Sequence, residues 1–576
     1  MYETISTDVL IIGGGGAGLR AAVEARDHGA DVTMVVKGKY GNSGCTLNVG
    51  TSAVVGLNGQ NGDTNMSSMC DLVSFGGFLA DQKLAKILVD ETMDRVQELV
   101  DWGADFQRED DGSIALYRSA AHTHTRNFTF KPGENGRQYT YGSPPGMAMM
   151  DALMDQVESR GVTVMDDAVL IDLLTNDGRV VGATVLDCRR SAILVVEAKT
   201  TILATGTYSH IFGPTTVSPF ETGDGHAAAY RVGADLTGME ASQFVATSVG
   251  FPPGTKFLNS NNEDFLPKYG IDDPRNFAKE PLTYAVWKEI KEGRGFKGDK
   301  VMLDMSAAFE RKNMPWWFMD LVKDQTEKRG IDLRREPIAS EPRAHTAIGG
   351  VSINEKCEST VPGLYAAGAV AGGVYGHARP EGYTSMITVV FGKRAGRYAA
   401  EEANGIAGVS VDSAQVHASI AAATDTIDDS ALVKPSDIKR KIKATTRRYA
   451  WVIKEEEGLT NGLSRIRQIH AETGKLKART GYDWARALEV RNLLLSAELH
   501  FIGSLERKES RGAFFRDDYP ETDNVNWLKN ILYRQVDGEL VLDYEAPDLL
   551  YCDPATHEGR LQYQPIANYG TSAAAT

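Results

Sequence analysis

Asp8-Val9-Leu10-Ile11-Ile12-Gly13-Gly14-Gly15-Gly16-Ala17-Gly18-Leu19 is the stretch that decides the fold. Val9 to Ile12 form a continuous apolar run, the pattern of a strand buried on both faces of a parallel sheet. The glycines follow at G-x-G-x-x-G spacing. Gly13 permits a tight turn, Gly15 lets a pyrophosphate approach the backbone, and Gly18 lets helix pack on strand. A helix is predicted over Leu19 to His28, and its N-terminus offers N–H groups and a positive dipole end to the phosphates. Gly29 stops that helix, and Val32 to Val36 read as a second strand. This strand–turn–helix–strand unit binds a dinucleotide. The acidic residue that would hold the ribose of NAD after the second strand is absent, because Val36-Lys37 stand there.

The chain has 576 residues, enough for three or four domains at roughly 150 residues each. Hydrophobic residues make up 42% and charged residues 24%, an ordinary globular composition. Asp+Glu (77) exceed Lys+Arg (62), and the net charge of -15 argues against nucleic-acid binding. No stretch approaches about 18 uncharged apolar residues, so no direct membrane insertion is expected. The start shows no basic leader, and no signal peptide is expected. The five cysteines lie far apart and form no C-x-x-C, which points away from a cluster or zinc site and towards a reducing, cytoplasmic location.

Five further segments carry a resemblance. They are Tyr40-Gly41-Asn42-Ser43-Gly44-Cys45-Thr46, and Thr201-Ile202-Leu203-Ala204-Thr205-Gly206. The third is Thr222-Gly223-Asp224-Gly225-His226. The fourth runs from Ala344-His345-Thr346 through Gly349-Gly350-Val351 to Gly363-Leu364-Tyr365-Ala366-Ala367-Gly368. The last is Arg511-Gly512-Ala513-Phe514-Phe515-Arg516-Asp517-Asp518-Tyr519-Pro520, followed by Asn526-Trp527-Leu528. In this order they resemble the flavoprotein subunit family of succinate dehydrogenase and fumarate reductase, which also holds L-aspartate oxidase and adenylylsulfate reductase. The resemblance covers residues 5 to 535, and Lys37 fits a Ser-Lys-like pair of that family.

The resemblance implies an α/β fold: a Rossmann-type FAD-binding domain with an inserted α+β capping domain and a C-terminal helical domain. Residues 1–235 and 343–405 would form the FAD-binding domain, 236–342 the capping domain and 406–530 the helical domain. On its own, the sequence predicts a helix after Pro435-Ser436 with Ile438, Ile442, Tyr449 and Val452 on one face. Residues 531–576 are expected to be a tail, with Thr571 to Thr576 disordered.

FAD contacts are implied at Gly13, Gly15, Gly16, Ala17 and Gly18, at Lys37, and at Ser43, Gly44, Cys45 and Thr46. Further contacts are implied at Ala204, Thr205, Gly206 and Asp224, and at Gly368, Ala369, Thr384 and Ser385. Gly44 stands where succinate dehydrogenases carry the flavin-linking histidine, so FAD is expected to be non-covalent. Cys45 beside it reads as a spectator thiol. The family's Gly-Glu-Val is Gly368-Ala369-Val370 here, which removes one contact to the ribityl chain.

For the substrate, the resemblance assigns one carboxylate clamp to His345 and Arg379, the latter within Gly376-His377-Ala378-Arg379-Pro380-Glu381-Gly382. An arginine offers a planar fork to an anion. At the other end Gln243-Phe244 is kept, but Val245-Ala246-Thr247-Ser248 replaces the family's His-Pro-Thr-Gly. Pro252, Pro253 and Trp316-Trp317-Phe318 suggest a less polar cap. Lys279 falls where the proton-delivering arginine would be, with Arg275 in reserve. His124 and Arg126, in Ala121-His122-Thr123-His124-Thr125-Arg126, read as facing flavin or substrate, and the His-x-His pair shows no third metal ligand. Pro144-Pro145-Gly146 opens a helix with Met147, Met149 and Met150 in the core.

The expected activity is hydride transfer at a carbon next to a carboxylate or similar anionic group of a small substrate. CH–CH donors or acceptors are the first reading, with electrons exchanged with a separate iron–sulfur or ferredoxin-like subunit. An L-aspartate-oxidase-like amino acid oxidase and an adenylylsulfate-reductase-like enzyme remain open. So does a catalytically silent flavoprotein, against which the retained His345 and Arg379 speak.

Overall fold

The computed structural model describes residues 2–49, 52–53, 62–131, 146–310 and 316–556. Pro144-Pro145, Thr571 to Thr576 and the side chains of Trp316 and Trp317 lie outside the described residues.

Strand β1 (Glu3–Ile12) leads through Gly13 into helix α1 (Gly16–Asp27) and strand β2 (Val32–Val36). Val9 to Ile12 and all of β2 are buried. β1 runs parallel to β2, with Val9 beside Val32 and Ile12 beside Val35. It also runs parallel to Ala192–Leu203, with Ile12 beside Leu203. The sheet has seven strands. Thr163–Asp166 lies outside β2, Arg179–Asp187 and Ala168–Asn176 extend the far side as an antiparallel pair, and Leu364–Ala366 joins Thr201–Leu203 in parallel. α1 begins three residues before the predicted Leu19, because Gly15 serves as its N-cap. Two glycines are forced by close approach. Gly13 sits at φ +120°, where a Cβ would lie 2.1 Å from Ala204 O. At Gly18 a Cβ would lie 1.9 Å from Gly13 O.

Residues from Ala246 to Ile338 close a separate apolar core that includes Phe257, Phe265, Leu282, Val286, Leu303 and Phe318. Its helix Lys279–Glu289 carries Pro281 in the first turn. Proline is tolerated there, since the first-turn N–H groups have no partner within the helix. Phe318 is fully buried in this core.

The C-terminal helices Pro435–Tyr449, Glu456–Glu472 and Gly481–Glu506 pack against the FAD-binding sheet and its loops. Ile438 and Ile442 point inward as predicted, whereas Val452 lies beyond the helix end.

Two expectations change. Residues 531–545 are not a trailing coil: Asn530–Val536 and Glu539–Glu545 form a hairpin that pairs with Leu236–Thr237. The cysteines are not all apart either. Cys70 and Cys552, separated by 482 residues, form a disulfide with a Cα–Cα distance of 5.9 Å, while Cys45, Cys188 and Cys357 are free. Spacing along the chain says nothing about an approach made by folding.

Candidate functional site

A cavity runs along the carboxyl ends of the parallel strands. This is where open α/β sheets bind ligands. Every residue singled out for FAD lines it except Gly18, whose role is the contact with Gly13 described above. At one place the 12-residue helix α1 presents its N-terminus through Gly15, Gly16 and Ala17, with Gly16 N–H bonded to Thr46 Oγ1 at 3.0 Å. At another, Thr384 and Ser385 stand in the first turn of the helix Tyr383–Asn404. Two helix N-termini therefore face one cavity, as a pyrophosphate and an electron-rich ring require. Thr205 Oγ1 is buried on the wall with no hydrogen-bond partner among the described residues, a polar atom left for a ligand. These residues fit FAD.

Lys37 and Asp224 line the cavity, but they are bound to each other. Lys37 Nζ lies 2.7 Å from Asp224 Oδ2 and 2.6 Å from Glu489 Oε1, and donates to Thr222 Oγ1 at 2.6 Å. Glu489 comes from the C-terminal helix Gly481–Glu506, so the helical domain closes this part of the wall. Asn492, one turn on, donates to Asp224 Oδ1 at 2.8 Å. Neither Glu489 nor Asn492 carries any local motif that would have marked it.

The candidate substrate residues meet where Cys45 and Glu221 form the cavity wall. Arg379 is 8% exposed, and its guanidinium has no hydrogen bond or ion pair among the described residues. Burial lowers its pKa, and the phenol of Tyr375, Cys45, Glu280 and Glu221 pull it back up. Burial also lowers the pKa of Lys279, which shares the site with Arg379, Glu280 and Glu381. His345 is held well below its ordinary value by burial and by the charges of Lys279 and Arg379, so its imidazole is neutral at pH 7.

His345 owes its position to a bulge. The strand Ser242–Val245 pairs with Arg343–Ala347 so that Gln243 faces Thr346 and Phe244 faces Ala344. His345 is the extra residue between them, and bulges of this kind re-aim a side chain. Its Nδ1 meets Thr216 Oγ1 at 2.9 Å. Gln243 Nε2 donates to Glu280 Oε1 at 2.5 Å and to Arg379 O at 3.0 Å. The capping helix and the Arg379 loop are thereby tied to one amide. Glu280, 7% exposed, has no partner for Oε2 among the described residues, and burial raises its pKa.

Other expected site residues stand elsewhere. Arg275 lies exposed on a short 3-10 turn, with its guanidinium near Phe251 O at 3.4 Å. Arg126 is fully buried and structural: Nε and Nη2 bind the Asp63 carboxylate at 2.9 and 2.7 Å, and Nη1 binds Asp71 Oδ2 at 2.5 Å. The flavin- or substrate-facing reading of Arg126 is therefore wrong. His122 Nε2 donates to Glu381 O at 2.8 Å and holds the loop that carries Arg379. His124 is half-buried. Glu221 and Glu280 were not among the expected residues, although each adjoins one, Glu221 before Thr222-Gly223-Asp224 and Glu280 after Lys279.

Comparison with known proteins agrees with the fold and the cavity. The family model described as an FAD binding domain matches residues 8–385, and the one described as the fumarate reductase flavoprotein C-term matches residues 439–562. These define an FAD-dependent oxidoreductase. The chain belongs to the fumarate reductase/succinate dehydrogenase flavoprotein family. It is 33% identical to an uncharacterised FAD-dependent oxidoreductase of Methanocaldococcus jannaschii, over 92% of this chain and 96% of that one. It is 32% identical to one of the subunits of the fumarate reductase (CoM/CoB) of Methanothermobacter marburgensis, over 92% of this chain and 97% of that one. Among solved structures, Mycobacterium smegmatis Sdh1 in complex with UQ1 superposes with a TM-score of 0.84 at 26% identity, covering 96% of each chain.

Proposed function

We propose that this oxidoreductase transfers a hydride between FAD and a carbon next to the carboxylate of a small substrate, most simply across a CH–CH bond. The observation that carries the reading is the buried Arg379 guanidinium, unpartnered among the described residues and placed with His345 and Lys279 at the edge of the FAD cavity. A buried cation without a counter-ion is costly, and a substrate carboxylate supplies one. Bound in the cavity, FAD supplies the hydride acceptor or donor.

The chain's own residues do the rest. Arg379 grips the carboxylate through its planar fork. Neutral His345, with Nδ1 against Thr216, turns its other nitrogen to the same end of the substrate. Lys279, in the first turn of the capping helix, gives or takes the proton through Nζ, and its lowered pKa suits both directions better than an arginine would. The Gln243 amide keeps the lysine-bearing helix and the arginine loop at a fixed separation. Gly44 in place of a linking histidine supports non-covalent FAD. The methanogen relative is named as one part of a larger enzyme, and this supports electron exchange with an iron–sulfur or ferredoxin-like partner.

The test is anaerobic bleaching and reoxidation of the flavin against carboxylates, enoates, amino acids and adenylylsulfate, with Arg379→Ala beside the wild type. The variant should keep its FAD and lose roughly 10²- to 10³-fold in kcat/KM. Loss of flavin, with turnover per bound FAD unchanged, would make Arg379 structural. Oxygen-linked turnover of an amino acid would replace the reading by an oxidase.

A further inference from the structure

The Arg379 guanidinium has no hydrogen-bond or ion-pair partner among the described residues, so its backbone and the packing round it are what aim it. Its loop is pinned at two carbonyls. Gln243 holds Arg379 O at 3.0 Å. Glu381 O accepts from His122 Nε2 at 2.8 Å and from Asn127 Nδ2 at 3.2 Å. Pro380 stands between the two carbonyls, and its ring fixes φ, so the segment has little slack. Gly382 then caps the helix Tyr383–Asn404, whose first turn lines the FAD cavity.

His122 is itself set from behind. Arg126 Nη1 donates to His122 Nδ1 at 3.2 Å. A guanidinium only donates and a carbonyl only accepts. Both contacts therefore demand the same state of the ring, with Nδ1 bare and the proton on Nε2. A flipped ring would turn C–H groups to both partners, and an imidazolium would have no lone pair for Arg126. Arg126 is not free to turn away. The Asp63 carboxylate takes its Nε and Nη2 at 2.9 and 2.7 Å, and Asp71 Oδ2 takes Nη1 at 2.5 Å. Asp71 is held in turn by the N–H and the hydroxyl of Thr123, at 2.8 and 2.9 Å. His122 and Arg126 are each 1% exposed, so water does not compete for these bonds. The imidazole also packs on Tyr383, with ring centroids 5.4 Å apart.

We propose that His122 is a positioning residue for the anion subsite: Arg126, clamped by Asp63 and Asp71, holds it as the Nε2–H tautomer, and that one proton fixes the Glu381 carbonyl and so the direction of Arg379. The proposal rests on the reading of Arg379 as the anion grip. It gives His122 a task through the loop rather than at the flavin or at a metal. Burial and the charge of Arg126 hold the imidazole at a pKa of about 3, so the tautomer persists at neutral pH.

The full-length, FAD-loaded chain is titrated with malonate, and the flavin absorbance gives Kd. The amide of His122→Asn stands near the Nδ1 position, where it accepts from Arg126 but falls short of Glu381 O. That of His122→Gln reaches the Nε2 position and donates to Glu381 O. With FAD retained in both, the Asn variant should bind malonate on the order of 10- to 10²-fold more weakly, and the Gln variant within about fivefold of wild type. An Asn variant that binds like wild type overturns the proposal. Equal weakening in the two variants also overturns it, because the donor to Glu381 O would then be immaterial. If the Asn variant loses FAD, Asn127→Ala, which removes the second donor to the same carbonyl, takes its place. It should weaken malonate by at least about threefold, and no change overturns the proposal. Loss of FAD by all three variants makes His122 a residue of the fold and overturns it too. Arg379→Ala should abolish malonate binding. Undiminished binding by that variant, or none by wild type, sinks the reading of Arg379 itself and this proposal with it.

Discussion

The side-chain amide of Gln243 donates to the backbone oxygen of Arg379 at 3.0 Å, and its second hydrogen goes to Glu280 Oε1. One buried amide therefore joins the strand beneath the site, the loop that carries the anion-binding guanidinium and the helix that carries Lys279. The arrangement predicts that positioning and stability depend together on Gln243.

Gln243→Leu removes both bonds and strands a buried carboxyl and a carbonyl, at a cost of roughly 1–3 kcal/mol. Displacing Arg379 against Lys279 by a fraction of an ångström should lower kcat/KM on the order of 10²-fold. FAD content should be unchanged, because the residue lies off the cavity wall. Thermal unfolding and steady-state kinetics on the same preparation check it, and a stable, fully active variant would remove Gln243 from this role.

Lys279→Met should leave FAD and anion binding largely intact and cut kcat roughly 10²- to 10⁴-fold. The pKa of Lys279 is lowered, chiefly by burial. Turnover in the proton-donating direction is therefore present below the folded pKa and lost as pH rises through it. The alkaline limb should fall below the ordinary lysine value of about 10.4, and the kcat–pH profile reads it. Loss of turnover in Arg275→Ala, with Lys279→Met active, would move the role to the exposed turn.

Glu489 ties the helical domain to the cavity through Lys37, and the charges of Lys37 and Lys439 hold its pKa at about 2, below the ordinary 4.5. A depressed carboxyl contributes stability that is present above the ordinary value and lost as pH falls to the folded one. The contribution, roughly 3 kcal/mol, should disappear between about pH 4.5 and about pH 2. Flavin fluorescence during acid titration should report FAD release in that window. Glu489→Gln should release FAD at higher pH than wild type, and an identical release curve would contradict it.

Cys70 and Cys552 join the helix Asn65–Phe75 to the C-terminal segment, where Gln82 also bonds the backbone of Tyr551 and Cys552. Denatured but unreduced protein should show three reactive thiols, those of Cys45, Cys188 and Cys357. Alkylation and peptide mass mapping should find the remaining two only after reduction. Five thiols before reduction would mean the bond does not form.

The sequence by itself determined the nucleotide-binding half. Val9 to Val36 specify strand, turn, helix and strand through local rules: an apolar run, and glycines where a Cβ would strike Ala204 O or Gly13 O. Sequence similarity over a set of short motifs then carried the FAD residues, because each of them lies at a strand or helix end and is fixed by its own segment. The substrate end was decided only in three dimensions. Cys45, Glu221, Lys279, His345 and Arg379 come from five separate stretches of chain, and their charges act on one another only after folding brings them into one water-poor site. Arg126 makes the same point in reverse: its neighbours in sequence suggested a ligand, but Asp63 and Asp71 bury it in a structural ion pair. Long-range pairing of charge leaves no periodicity or spacing in a chain, so Glu489 beside Lys37 and Cys552 beside Cys70 could be seen only once the tertiary structure had closed.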